Sequence, residues 1–260
     1  MKIFTFWHDR NSIPGYLKLC MKTHRKFIKN HELVFLDYSN LKDYTDIQSQ
    51  PYWQKLLDGK FGAGLAAIVD VIRIHILAEH GGMWMDLDTI ITSDDFEKNY
   101  LDFQTDKDVS CFSTSTDAVP TFGCIISKKP SEFINYAKKE QIRRIEHPTD
   151  ECHRWFYFAN GVFEPYFMKH KDEFNIFNSR KMYLEYQNLK QWGCGPYRKF
   201  WFEQNVQSEE IMKNQIPPVV FLHNSWTPDE IKKMDENTFL SRKSTMSNLL
   251  EHLCGVKWGN

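Results

Sequence analysis

The sequence predicts an α/β protein of a single domain, with a mainly parallel twisted sheet flanked by helices. Near the N-terminus, a strand, a helix and a second strand follow one another at residues 3–7, 14–30 and 32–38. This order is typical of a βαβ unit, whose two strands run parallel. The length of 260 residues suits one domain, and the chain shows neither repeats nor a linker that would divide it.

Each element has its own local justification. The first strand alternates apolar and aromatic residues and ends in a polar loop after Trp7. In the helix that follows, Leu17, Met21 and Ile28 lie near helical spacing. The clearest helix covers residues 63–80, where a broad apolar face is followed by Gly81-Gly82, a pair free to adopt positive φ. The apolar run that comes next, at residues 83–91, predicts one strand.

The second half of the chain continues the alternation of strands and helices. One or two strands are predicted within residues 108–127 around a turn at Pro120, and an amphipathic helix within 130–144. A last strand is predicted at 217–222, followed by a helical tail from residue 228. Between residues 151 and 202 the pattern is rich in aromatic residues and favours no particular structure.

Composition and charge exclude several classes of protein. The 33 basic and 34 acidic residues give a net charge of -1, whereas nucleic-acid-binding proteins usually carry a basic excess. No apolar run reaches the about 20 residues of a membrane span, and the N-terminal one is too short for a signal peptide. The 6 cysteines form no Cys-x-x-Cys pair, as expected for reduced thiols. We therefore expect a cytoplasmic protein, with peripheral association at the inner face of the membrane left open.

Two neighbouring carboxylates, Asp86 and Asp88, directly follow an apolar run. Close carboxylates that are partly buried repel each other, which is unfavourable unless a cation compensates their charge. Mg²⁺ or Mn²⁺ would do so, because these ions prefer oxygen ligands and often share a site with substrate phosphates. A solvated turn with capping aspartates is the structural alternative, but the apolar residues on both sides favour a metal site.

Two further groups of residues could belong to such a site. Asp70 and Arg73 are three positions apart on one helix face, either as a surface ion pair or as an acceptor for sugar hydroxyls beside a cation for phosphate. His223 and Trp226 follow the last predicted strand. A neutral imidazole can bind Mn²⁺ and an indole N–H can donate to a phosphate oxygen, although a core histidine and a packing tryptophan are the alternative.

The run from Ala66 to Asp88 resembles the signature of the DXD-containing glycosyltransferases. These comprise the capsular-polysaccharide-synthesis glycosyltransferases, the yeast initiating mannosyltransferases and the clostridial toxin glucosyltransferase domains. Their signature is an alanine-rich helix with Asp-x-x-Arg, then Gly-Gly, an aromatic residue and Asp-x-Asp. Three shorter segments resemble other parts of the family: Phe6-Trp7 its first strand, Leu222–Trp226 its C-terminal element, and Asn160-Gly161 its acceptor-side segment.

This resemblance implies the GT-A fold, a Rossmann-like α/β domain, over residues 1–260. Residues 1–127 would bind the nucleotide sugar, and residues 128–260 would provide the acceptor side and a closing segment. The implied donor is a UDP-sugar, with GDP-mannose as the alternative, and the implied acceptor is a glycan or glycolipid. The implied reaction depends on Mn²⁺ or Mg²⁺, retains the anomeric configuration and involves no nucleic acid.

The resemblance also implies a role for each site residue. Asp88 would be the main metal ligand, Asp86 a second metal residue, and His223 or Ser225 would complete the shell. Asp86 would also contact the ribose or the donor sugar, and Asp70 the donor hydroxyls. We expect the catalytic group to comprise Asp86, Asp88 and Arg73, the last of which would bind phosphate. The donor contacts are completed by Phe6 and Trp7 at the base and by Trp226 at the β-phosphate.

Two other functions compete with this one. Phosphohydrolases with an Asp-x-Asp strand end normally continue it with Gly-Thr near the N-terminus, whereas Asp88 is followed by Thr89-Ile90 deep in the chain. A carbohydrate-binding protein without enzymatic activity would explain the 8 tryptophans. Such a protein would not need Asp-x-x-Arg one helix before Asp-x-Asp.

Overall fold

The computed structural model describes residues 1–58, 61–62, 64–113, 118–128, 131–213 and 216–255. The strands are β1 (Lys2–Phe6), β2 (Glu32–Leu36), β3 (Gly82–Met85), β4 (Thr89–Ile91), β5 (Val109–Ser113), β6 (Thr121–Ser127), β7 (Phe174–Asn178) and β8 (Val219–Phe221). The α-helices are α1 (Gly15–Phe27), α2 (Trp53–Leu57), α3 (Leu65–His80), α4 (Glu132–Glu146), α5 (Asn160–Phe167), α6 (Leu184–Leu189), α7 (Cys194–Arg198), α8 (Ser208–Lys213), α9 (Asp229–Lys232), α10 (Glu236–Ser241) and α11 (Thr245–Cys254). Single turns of 3₁₀ or π helix lie between several of them.

The chain groups into two compact units, which we call unit 1 and unit 2. Unit 1 comprises Met1–His8, Glu32–Asp86 and Gln104–Asn178. Unit 2 comprises Asp9–His31, Leu87–Phe103 and Ser179–Asn260. The single domain predicted from the sequence, with its boundary after residue 127, stays a prediction.

Unit 1 contains a six-stranded sheet in the order β2-β1-β3-β6-β5-β7. β1 runs parallel to both β2 and β3, and β5 runs parallel to β7. β6 is antiparallel to its neighbours β3 and β5. The predicted α/β class, with a mainly parallel sheet flanked by helices, is confirmed, as is the parallel pairing of the first two strands.

The core of unit 1 forms where α3, α4 and α5 bury apolar faces with the sheet. Between Ala67 and Leu77 almost every residue of α3 is buried. Aromatic rings dominate the contacts of α5, and Phe163 lies with its ring centroid 4.0 Å from that of Phe122 on β6. Such burial holds α3 in a fixed position, which matters because α3 carries Asp70 and Arg73.

The boundaries of α3 agree with the sequence at one end. The helix ends at Gly81-Gly82 as predicted, with φ of 64° and 87°. A Cβ atom on Gly82 would lie 2.4 Å from the carbonyl oxygen of Lys2, so this position requires glycine. The predicted start at Ala63 lies outside the described residues, as does Pro130, the predicted start of the helix that the structure begins at Glu132.

The prediction of one strand over residues 83–91 is wrong, because the run divides into β3 and β4 in two different sheets. β3 belongs to the six-stranded sheet, where its pairing with β6 ends as Asp86 N donates to Gly123 O at 2.7 Å. β4 pairs with β8 in a two-stranded antiparallel sheet. Both strands are buried, so the apolar pattern runs on across the division and does not reveal it.

Unit 2 is built around α1, which packs against β4, α10 and α11. The predicted helical tail is confirmed as α9, α10 and α11. None of the 6 cysteines, all of which lie in described segments, forms a disulfide. Among the described residues, no helix combines the length and apolar character needed to cross a membrane.

Candidate active site

In unit 1, Arg73 joins two aspartates that the sequence placed in the candidate site. Its Nη1 lies 3.2 Å from Asp70 Oδ1, and its Nη2 donates to Asp86 Oδ1 at 2.9 Å. Asp70 is 8% exposed and Arg73 5%, so burial excludes the surface ion pair. The structure therefore brings Asp70, Arg73 and Asp86 together around one cation, with Asp70 and Arg73 buried and Asp86 partly exposed.

A neighbouring indole and a glycine fix the carboxylate of Asp86 further. Trp84 Nε1 donates to Asp86 Oδ1 at 2.7 Å, so this oxygen accepts two hydrogen bonds. A Cβ atom on Gly123, in the adjacent strand β6, would lie 2.8 Å from Asp86 Oδ2. The absence of a side chain at position 123 leaves room beside Oδ2, the oxygen that Arg73 and Trp84 do not use.

Burial and the neighbouring charges have opposing effects on the pKa of Asp70. The pKa of Asp70 is raised to about 7, because burial outweighs the lowering by the Arg73 guanidinium and the charge of Asp86 adds to the rise. The Nε of Arg73 is buried and has no hydrogen-bond partner. Since both terminal nitrogens bind aspartates, the geometry favours Arg73 as the cation that holds the two carboxylates, and its predicted contact with phosphate stays a prediction.

Gln141 of α4, which is fully buried, links α3 to the segment before α5. Its amide nitrogen donates to the carbonyl oxygens of Asp70 at 3.1 Å and of Phe158 at 2.7 Å. This segment leads into Asn160 and Gly161, and the Gly161 carbonyl accepts from Arg144 Nη2 at 2.7 Å. The segment predicted to serve the acceptor is thus anchored to the backbone of α3, and its role stays a prediction.

In unit 2, Asp88 lies at the segment His223–Trp226, although the two are far apart in the sequence. Antiparallel pairing of Thr89 with Phe221 aligns them, and Leu222 N donates to Asp88 O at 3.1 Å. Asn224 N donates to Asp88 Oδ2 at 2.7 Å across a sequence separation of 136 residues. The structure therefore brings together the second carboxylate of the motif and the C-terminal element.

Side chains of α1 and α7 form further hydrogen bonds with the segment His223–Trp226. Tyr16 of α1 donates to Asn224 Oδ1, and Tyr197 of α7 accepts from His223 N at 3.3 Å. Arg198 Nε donates to the carbonyl oxygen of Trp226 at 2.8 Å. Ser225 is exposed at the tip of this turn.

His223 lies inside a cluster of aromatic rings. Its ring stacks on Tyr183 at 5.4 Å with an interplanar angle of 5° and lies 4.0 Å from Trp226. Burial lowers the pKa of His223 to about 4, so its imidazole is neutral at neutral pH and has a lone pair available. Trp192, whose ring lies 5.2 Å from His223, is 49% exposed and adds an open aromatic surface to the cluster.

The two residues predicted to contact the base differ in accessibility. Phe6 is buried against Tyr38, with ring centroids 5.4 Å apart. Trp7 is partly exposed and lies beside His8, at a centroid distance of 5.2 Å. Of the two, Trp7 has the accessible ring, and both assignments stay predictions.

Sequence reasoning missed several residues that shape these groups. Trp84 could have been found, because alternation along a strand places it on the same side as Asp86. Asn224, Tyr16 and Gln141 act through contacts between distant segments, for which the local pattern holds no signal. In the described part of the chain, no three His, Cys, Asp or Glu side chains gather into a metal site of their own.

The fold that carries these groups is that of the GT-A glycosyltransferases. The galactosyltransferase LgtC, solved in complex with donor and acceptor sugar analogues, matches with a TM-score of 0.51 at 11% identity, covering 100% of this chain and 97% of its own. A glycosyltransferase involved in glycosylation of the major capsid of PBCV-1 matches with a TM-score of 0.49 at 11% identity, over 89% of this chain and 97% of its own. The glycosyltransferase GlyE of Streptococcus pneumoniae TIGR4 matches with a TM-score of 0.48 at 11% identity, over 92% of this chain and 62% of its own.

The sequence itself identifies the family. Residues 1–217 match the family described as capsular polysaccharide synthesis protein, and the chain belongs to this family. A comparison with curated proteins finds no match. Family and fold together support a glycosyltransferase of polysaccharide biosynthesis.

Proposed function

We propose that the protein transfers a sugar from a UDP-sugar to a glycan or glycolipid acceptor, with retention of the anomeric configuration and with Mn²⁺ or Mg²⁺. The contact of Asp88 Oδ2 with Asn224 N, at 2.7 Å, carries this proposal. It joins an acidic motif to a turn that offers an imidazole, a hydroxyl and an indole. These are groups that suit a cation and a diphosphate.

The residues of unit 2 fit a divalent ion that shares its ligands with a substrate. Such ions are often bound through one or two carboxylates, with the remaining positions taken by substrate phosphates and water. Asp88 and either His223 or Ser225 would hold the ion, so the protein would supply fewer than three of its ligands. When bound, the ion would supply positive charge opposite the diphosphate that leaves the sugar. Trp226 would donate its indole N–H to a phosphate oxygen.

The residues of unit 1 suit neutral hydroxyl groups. Oδ2 of Asp86 and the carboxyl group of Asp70 can accept hydrogen bonds from the ribose or the donor sugar, while Arg73 stabilises both carboxylates. Trp7 would stack on the base. Retention requires no dedicated general base if the leaving phosphate accepts the proton of the acceptor hydroxyl, and we assign no side chain as nucleophile.

A thermal unfolding scan with UDP, GDP and CDP, each with and without Mn²⁺, tests the proposal. A ligand at 100 times its Kd adds about 2.7 kcal/mol, which shifts Tm by several degrees at roughly 2–4 °C per kcal/mol. We expect a shift with UDP that requires the metal and is lost in Asp88→Asn. The matched control is Asp94→Asn, an exposed aspartate of the same unit, which should retain the shift.

The asparagine variant keeps the shape of the side chain and an oxygen that can accept from Asn224 N, so the fold should survive. Transfer from UDP-sugars, measured as release of UDP, should fall with the same substitution. If none of the three nucleotides raises Tm under any metal condition, the proposed donor site is wrong. A shift with GDP alone would replace UDP by the GDP-mannose alternative.

A further inference from the structure

A buried acid in unit 2 has no role in the function proposed above. Glu185 of α6 is 0% exposed, which is unusual for a carboxyl group. One of its oxygens, Oε2, accepts from Trp201 Nε1 at 3.1 Å. The other, Oε1, is buried without a hydrogen-bond partner.

The atom that faces Glu185 Oε1 is also buried and unpaired. His223 Nε2 is buried without a hydrogen-bond partner and lies 3.7 Å from Glu185 Oε1. A buried donor and a buried acceptor are each unfavourable when unpaired, and they are complementary here. An approach of less than 1 Å would bring them to the usual distance of about 2.9 Å. The flanking rings of Tyr183 and Trp226 keep the imidazole facing the acid.

We infer that Glu185 is a positioning residue that accepts the Nε2–H of His223 and so fixes the imidazole in the tautomer with its proton on Nε2. A neutral imidazole carries one N–H, and an ionised carboxylate can only accept. The opposite tautomer would place the Nε2 lone pair against the carboxylate. With the proton held on Nε2, the lone pair of His223 is on Nδ1.

The consequence for the site rests on the proposed function. If His223 is a ligand of the divalent ion, a fixed tautomer offers one defined nitrogen lone pair, and the hydrogen bond to the acid makes that nitrogen a better donor of electrons. The acid would thus orient a ligand without touching substrate. This arrangement distinguishes His223 from Ser225, which is exposed.

The tautomer can be measured directly in the protein without nucleotide or metal. Long-range ¹H–¹⁵N correlation spectra of histidine-labelled protein at pH 8.5, above the pKa of about 7 to which burial raises Glu185, separate protonated from unprotonated ring nitrogens. Comparison with His223→Gln assigns the resonance among the 10 histidines. We expect a protonated Nε2 in the wild-type protein and in Glu185→Gln, whose amide oxygen can accept the same proton. In Glu185→Leu we expect a mixture of tautomers.

Glu209→Gln, a change at an exposed glutamate of the same unit, is the control and should leave the spectrum unchanged. A wild-type spectrum with the proton on Nδ1 overturns the inference, and this holds even if Glu185→Leu fails to fold. An unchanged tautomer in folded Glu185→Leu also overturns it.

A second measurement separates this inference from the proposed function. Titration of UDP in the presence of Mn²⁺ should show affinity about 10–100-fold weaker for Glu185→Leu than for wild type, as for other residues that orient a metal ligand. Glu185→Gln should restore most of the affinity. If the spectra show the expected tautomer but UDP with Mn²⁺ does not bind the wild-type protein, the positioning role stands and the proposed donor site fails.

Discussion

The candidate groups of the two units hold their functional side chains by different means. In unit 1, Asp70 and Asp86 bind the guanidinium of Arg73 at 3.2 and 2.9 Å, so the protein supplies the opposite charge itself. In unit 2, the backbone N–H of Asn224 positions Asp88, and aromatic rings position His223. Both of these contacts are made by neutral groups.

The difference indicates that the two groups serve different kinds of ligand. A group that holds one guanidinium between its two carboxylates has much of its charge compensated without a ligand, and it suits the recognition of uncharged hydroxyls. A carboxylate and an imidazole that are oriented by neutral groups can serve a charged ligand. Changes in unit 1 should therefore act mainly on stability, whereas changes in unit 2 should act mainly on binding.

The largest effect on stability is expected from Arg73→Met. Breaking a buried ion pair by removing one partner leaves an uncompensated charge and costs about 3–5 kcal/mol. Urea unfolding at pH 8 should show this loss, and a double variant with Asp70→Asn should recover much of it. If Arg73→Met unfolds at the urea concentration of the wild type, the group in unit 1 is not held by its cation.

The pH dependence of stability tests the same group at a somewhat smaller scale. Burial raises the folded pKa of Asp70 from 3.8 to about 7, so the folded protein binds this proton more tightly than the unfolded chain. The resulting contribution is fully present below about pH 4 and is lost as pH rises through 7, by at most about 4 kcal/mol. Burial also raises the pKa of Glu185 to about 7, and this has the same effect on the pH dependence of stability in unit 2.

Asp70→Asn should therefore flatten the decline of the unfolding free energy between pH 5 and 8, measured by urea unfolding. Asp106→Asn, at an aspartate whose side chain is 86% exposed, should leave the decline unchanged. A decline of equal size in Asp70→Asn and wild type would contradict the assignment.

The smallest effect on stability is expected from Gly123→Ala, which sharpens the comparison because it should also change binding. The new Cβ would meet Asp86 Oδ2 at 2.8 Å and displace a carboxylate that Arg73 and Trp84 hold in place. Such overpacking costs about 1–3 kcal/mol. In addition, the affinity of Gly123→Ala for a UDP-sugar, measured by calorimetry, should be lower than that of the wild type. Gly195→Ala, where a Cβ would meet nothing within 4 Å, is the matched control, and equal affinities for the two variants would exclude a role for the space beside Asp86.

Local pattern predicted much of the fold and part of the site. The order β1, α1, β2 and the end of α3 at Gly81-Gly82 follow from periodicity and glycine chemistry, which act over a few residues. The helical spacing of Asp70 and Arg73 likewise predicted their contact. The division of residues 83–91 into β3 and β4 escaped prediction, because strand partners, not local residues, decide it.

Burial of individual aromatic residues was equally beyond local pattern. Trp201 is 0% exposed and donates to Glu185, whereas Trp192, nine residues earlier, is 49% exposed. Both are tryptophans in the same aromatic-rich stretch, and only the packing of distant segments distinguishes them. The link between Glu185 and His223 has the same origin, and no spacing rule would reveal it.

The short sheet of β4 and β8 has a consequence for how the sequence of this protein can vary. Three residue pairs, from Thr89 with Phe221 to Ile91 with Val219, align two segments that lie more than a hundred residues apart in the sequence. A slip of one residue would turn the side chains of a strand to its opposite face and move Asn224 away from Asp88. The number of residues between β8 and Trp226 is therefore as restricted as their identity. A single insertion or deletion there would disturb the contact of Asn224 with Asp88 more than many substitutions would.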